Sequence, residues 1–135
     1  MSDTPDFAVP LDRTLDGILG FEVLEVGPER ARSRARVADH HKQPYGLVHG
    51  GVYAAMAESL ASQATAIAVY ADGNIAVGLS NFTSFMRPVL EGHVNAEGRC
   101  IHRGSTTWVW EVELSDDQGR LCALTRVTMA VRPRR

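Results

Sequence analysis

Apolar and polar residues alternate strictly through 31–37, with Ala31, Ser33, Ala35 and Val37 on one side and Arg32, Arg34 and Arg36 on the other. A two-residue period is that of a half-buried strand. The same period returns at 106–114, where Trp108, Trp110, Val112 and Leu114 share a face opposite Thr107, Val109, Glu111 and Glu113. Between these stretches the pattern changes. Residues 50–71 hold one charge, Glu58, among many alanines. As a helix this stretch would be about 33 Å long, close to the thickness of a bilayer core. Ser59, Ser62, Gln63 and Thr65, the alanine-rich make-up and the lack of a flanking Lys/Arg cluster argue against a membrane span. A helix with no polar side is instead expected inside the domain, surrounded by protein.

The remaining elements follow from turn residues and further strand patterns. Residues 11–19 suit a short helix or turn, with Asp12 as candidate cap. A strand is expected at 21–26, closed by Gly27-Pro28. A polar, turn-rich segment at 38–49 leads into the long helix, which Asp72-Gly73-Asn74 stops. Strands then follow at 75–85, 92–102, 106–114 and 121–131, with a hairpin turn at 115–119. Their short connections favour antiparallel pairing. The outline is an α+β domain, in which one antiparallel sheet curls around a small-residue helix that lets strands approach closely.

The 135 residues suit one domain, expected over 11–135 behind a loose segment 1–10. Hydrophobic residues make up 44% and charged residues 22%, and 14 basic against 16 acidic residues leave a net charge of −2. That balance removes the basic excess of a general nucleic-acid binder. The start of the chain lacks the basic and apolar regions of a secretory signal. Cys100 and Cys122 are too few for a disulfide framework and lack metal-ligand spacing. A cytoplasmic protein with neither metal nor cofactor is expected.

Candidate chemistry gathers on the long helix. Glu58 is its lone charge, and an unpaired buried carboxylate is costly enough to suggest a use. His49-Gly50-Gly51 opens the helix, where first-turn N–H groups have no intrahelical partner and the dipole favours an oxyanion. The same residues would also serve as a plain glycine turn. Ser62, four residues after Glu58, shares its helix face and could hold a water, or bond back to the helix. Gln43 alone is a polar loop residue. Gly50 and Glu58 lie about 12 Å apart along one helix axis, beyond easy reach of a glutamate side chain. If both act on one bond, the carboxylate comes from a neighbouring subunit, so a homodimer with composite sites is expected.

The run Gly46-Leu47-Val48-His49-Gly50-Gly51-Val52, continued by Ala57-Glu58-Ser59, resembles the hotdog-fold acyl-CoA thioesterases. More narrowly, it is similar to the branch containing the phenylacetate-pathway, glutamate-type 4-hydroxybenzoyl-CoA and 1,4-dihydroxy-2-naphthoyl-CoA thioesterases. Gly78 to Pro88, Gly92 and His102-Arg103-Gly104 extend the resemblance over roughly residues 15–131. It implies a hotdog fold and hydrolysis of an acyl-CoA to a free acid and coenzyme A. It also implies Glu58 as nucleophile or general base, Gly50 as oxyanion donor, and supporting roles for His49, Gln43 and Ser62. A dimer, assembled further as a dimer of dimers, is expected. The phosphates of coenzyme A suggest substrate contacts from Arg87, Arg103, Ser105, Thr106 and Thr107, with the Arg132–Arg135 tail nearby and Gly51 beside the helix start. Exposed strand-end charges are the plainer reading of those arginines. The Arg32, Arg34, Arg36 stripe is expected to be a solvated face, and Trp108 and Trp110 core or interface anchors.

Two other readings compete. A hydratase or dehydratase of the same fold would carry Asp five residues before His49, where Pro44 stands. A non-catalytic acyl-CoA-binding module would be expected to lack Glu58 or to carry a DNA-binding domain.

Overall fold

The computed structural model describes residues 7–135. After a 3-10 turn at Leu11–Arg13 come helix α1 (Leu15–Ile18) and strands β1 (Glu22–Val26) and β2 (Arg30–Arg36). The long helix α2 (Gly50–Tyr70) follows, and then β3 (Asn74–Phe85), β4 (His93–Arg103), β5 (Thr107–Ser115) and β6 (Leu121–Pro133). The strands form one sheet in the order β1-β2-β4-β5-β6-β3, with every neighbouring pair antiparallel. α2 touches all six strands. This is the expected sheet wrapped around one long helix. Among the described residues, no helix is long and apolar enough to cross a membrane. The expected loose segment 1–10 lies partly outside the described residues, and Phe7 to Pro10 are exposed.

The period-two strands bury the faces their patterns assigned. On β5, Trp108, Trp110, Val112 and Leu114 are all buried. On β2, Ala31, Ser33 and Ala35 face the core. Three of its four outward arginines are paired: Arg30 with Glu97 at 3.1 Å, Arg32 with Glu25 at 3.7 Å and Arg34 with Glu22 at 3.0 Å. Ala57, Ala61 and Ala64 of α2 lie against the sheet and let the helix come close. At the centre, the Trp110 indole N–H donates to Thr65 Oγ1 at 2.9 Å, and that hydroxyl donates to the Ala61 carbonyl at 2.7 Å.

Three expectations change. Asp12 does not cap the first helix; Thr14 does, its hydroxyl accepting from Gly17 N–H at 3.2 Å. Of the four late strands, the first does not join its sequence neighbour. β3 crosses to the far edge and pairs with β6. Nor does the chain surround α2. The sheet covers one side of the helix and, among the described residues, the other is open apart from Asp16 of α1 at Ser59, so Glu58 and Ile67 are exposed rather than buried. The edge strand β3 also leaves Val77, Leu79 and Phe82 in solvent.

Candidate active site

The loop before α2 is held from several directions. Ala38 N–H donates to His41 Nδ1 at 2.9 Å, so the other ring nitrogen carries the proton and donates to the Leu19 carbonyl at 2.6 Å. Backbone bonds from Gln43 N–H to the Leu47 carbonyl, Val48 N–H to Val89 and His49 N–H to His41 close the loop. Gly46, at φ 91°, makes the reversal possible. Gln43 Oε1 accepts from Tyr45 N–H at 2.9 Å, which leaves its NH₂ group as a donor.

His49 caps α2. Its Nδ1 accepts from Gly51 N–H at 2.8 Å, which occupies that amide. The Gly50 N–H makes no hydrogen bond among the described residues. It stands at the positive end of a helix of 21 residues. A Cβ at Gly50 would lie 2.8 Å from the Phe85 ring, which would have to shift to admit it. Gln43, Leu47, Gly50, Tyr53, Phe85 and Arg87 line one cavity of about 460 Å³. The loop glutamine and the helix N-terminus, far from obvious neighbours by spacing, therefore share a site.

Glu58 lies in a different place. It borders a shallow cleft of about 290 Å³ with Asp16, Ser59, Ser62 and Gln63. Gly78 of β3 lies beside it, where a Cβ would sit in ordinary contact, 3.7 Å from the Glu58 carboxyl group. Ser59 Oγ donates to Asp16 Oδ1 at 2.7 Å. Ser62 Oγ does not bond back to its helix; it points to Met129 Sδ at 3.6 Å. The chain thus carries two separate clusters, an N–H donor with Gln43 and a carboxylate with Ser62.

The chain matches the Thioesterase superfamily over residues 45–123. It belongs to that family. The proofreading thioesterase EntH of Cronobacter turicensis is 36% identical to it over 118 residues, spanning 87% of this chain and 85% of that one. The 1,4-dihydroxy-2-naphthoyl-CoA hydrolase of Escherichia coli K12 is 33% identical over 115 residues, spanning 85% and 84%. A mutant form of thioesterase PA1618 from Pseudomonas aeruginosa has the same fold, with a TM-score of 0.87 at 34% identity, covering 91% of this chain and 88% of that one. The hotdog fold and thioester hydrolysis as the general activity follow from these likenesses.

In this thioesterase, Arg87 lines the Gly50 cavity. Arg103, Ser105, Thr106 and Thr107 line neither cavity and lie at the β4–β5 turn. There Arg103 stacks over Trp108 at 4.8 Å, and the Thr106 carbonyl accepts from Arg132 at 2.7 Å. Among the described residues, no three His, Cys, Asp or Glu side chains gather as metal ligands. Several site residues escaped the motif reading: Phe85 over Gly50, Gly78 beside Glu58, and Asp16 against Ser59. Asp16 and Ser59 are 43 positions apart, so no local spacing announces them. Tyr53 is the other surprise. Its hydroxyl is buried without a hydrogen-bond partner, leaning toward Val89 without full bonding geometry. Burial, reinforced by nearby Cys122, pushes its ionisation up to about 12.

Proposed function

We propose that this thioesterase hydrolyses an acyl-CoA to a free acid and coenzyme A, in a homodimer whose sites each combine Gly50 of one protomer with Glu58 of the other. The separation of the half-sites carries the proposal. Eight residues of one helix hold Gly50 and Glu58 about 12 Å apart, and each faces its own cavity. The uncovered side of α2 and the apolar edge strand β3 lie next to Glu58, as a two-fold interface there requires. Hotdog dimers of this kind would assemble further as a dimer of dimers.

The chemistry follows from the groups present. The free Gly50 N–H and the helix dipole would stabilise the oxyanion formed at the thioester carbonyl. The Gln43 NH₂ group would orient the same carbonyl. His49 holds the helix start through Nδ1 and keeps its other ring nitrogen for the departing thiolate. Glu58 of the partner subunit either adds to the carbonyl and expels the thiolate, leaving a mixed anhydride that water cleaves, or takes a proton from an attacking water. Ser62 would hold that water. Arg87, Arg103, Ser105, Thr106 and Thr107 are offered to the coenzyme A portion, and Gly51 contributes space, its N–H being occupied. No metal or cofactor enters these steps. The free thiols Cys100 and Cys122 suit a reducing cytoplasm.

Free-thiol release from aryl-, medium-chain and short-chain acyl-CoAs tests the reading. Glu58→Ala should lose at least about a hundredfold in kcat. Equal rates in both proteins would remove Glu58 from the mechanism, and binding without hydrolysis in the wild type would favour a binding module.

A further inference from the structure

Among the described residues, His41 is the one Asp, Glu, Lys, Arg or His side chain that is buried. A polar group is costly to bury unless it is hydrogen-bonded. Both ring nitrogens are: Nδ1 takes the Ala38 N–H, and Nε2 gives its proton to the Leu19 carbonyl. The ring therefore has no nitrogen left for a reacting group. Its neighbour His40 is exposed and only rests a tilted ring against it, centroid to centroid at 4.3 Å.

What His41 joins gives its burial a use. Leu19 ends α1, and the His41 carbonyl accepts from His49 N–H at 2.8 Å, at the start of α2. Its own N–H returns to the Ala38 carbonyl at 3.0 Å. One residue thus fastens the entry of the loop to α1 on one side and to α2 on the other. Gln43 follows two residues later and belongs to no helix or strand. A single bridge between Lys42 and Val48 flanks it, and its backbone bonds reach only Gly46 and Leu47. Gly50 is placed differently, in a helix of 21 residues packed against the sheet. The side chain that depends on the loop entry is therefore Gln43. We infer that His41 is a positioning residue, whose two ring bonds hold the loop so that the Gln43 amide points into the Gly50 cavity. The inference rests on the reading of Gln43 as the group that orients the thioester carbonyl, and adds the residue that holds it there. A displacement of about 1 Å in such a group costs on the order of a hundredfold in rate.

A double-mutant cycle provides the test, on whichever of benzoyl-CoA, hexanoyl-CoA and acetyl-CoA the wild type cleaves fastest. Rates are taken at a temperature where thermal melts show every variant folded. His41→Leu fills the site without either ring bond and should lower kcat/KM by about tenfold or more. It should also move kcat and KM in the proportions that Gln43→Ala does. In the Gln43→Ala background the same change should cost less than about threefold, since no amide is left to position. A merely structural role would lower the melting temperature alike in both backgrounds and would not depend on Gln43. His41→Asn keeps an acceptor for Ala38 N–H and His41→Gln a donor for Leu19, so each should recover part of the rate. His40→Ala should leave it unchanged. Equal losses with and without the Gln43 amide, or no loss in His41→Leu, would overturn the role of His41 and leave thioester hydrolysis standing. Should His41→Leu not fold, His41→Asn runs through the same cycle and is judged by the same comparison. A Gln43→Ala enzyme as fast as the wild type would remove Gln43 from the mechanism and this inference with it. A wild type that cleaves none of the three thioesters would overturn both readings.

Discussion

Thr65 shows how one hydroxyl can carry a core. It accepts from the Trp110 indole and donates to the Ala61 carbonyl, so replacing it orphans a fully buried N–H. Thr65→Val should destabilise the protein by about 1–3 kcal/mol, read from the urea midpoint. Tyr53 predicts the opposite sign. Its hydroxyl is buried without a partner, so Tyr53→Phe should match or exceed the wild type in the same measurement. At this scale the sequence was legible where a motif carried the residue. Gln43 and Gly50 do share a cavity, and His49 does sit at the helix start. The burial expected for Glu58 was not met, because burial depends on what covers a residue and not on its neighbours along the chain.

Among the elements, α2 is set by its ends. His49 caps one end, and a turn with Gly73 at φ 80° closes the other. At the capped end, a methyl at residue 50 would meet the Phe85 ring, which is 60% exposed and free to swing. Gly50→Ala should therefore fold normally yet lower kcat/KM by more than about tenfold, as the displaced ring intrudes on the Gly50 cavity. Steady-state kinetics beside a thermal melt would check both halves. The β5–β6 turn predicts a pH effect. Hydrogen bonds from Asn95 and then His93 hold the Asp117 carboxyl below its ordinary range. A depressed folded value means stability that is present above the unfolded value and lost as pH falls through the folded one. Asp117→Asn should flatten the acid limb of the urea midpoint between about pH 2 and pH 5. That turn, like the strand periods, was readable locally; the cap at Thr14 rather than Asp12 was not, since both residue types accept hydrogen bonds from helix N–H groups.

For the whole molecule, the open side of α2 and the edge strand β3 matter most. Val77, Leu79 and Phe82 expose apolar surface on the edge strand whose Gly78 lies beside the carboxylate that the proposed chemistry requires. Leu79→Lys should convert the proposed dimer to monomer in light scattering and abolish thioester hydrolysis with it, although Leu79 is not assigned any chemical role. A stable, fully active monomer would refute the composite site. The sequence by itself determined the strands, the single long helix and the motif at its start, because side-chain period and turn residues act over a few positions. Only the tertiary structure decided that β3 crosses to the far edge, that α2 is covered on one side, and that Asp16 meets Ser59 from 43 positions away. Those outcomes rest on pairings between distant segments, which a local alternation permits in more than one arrangement.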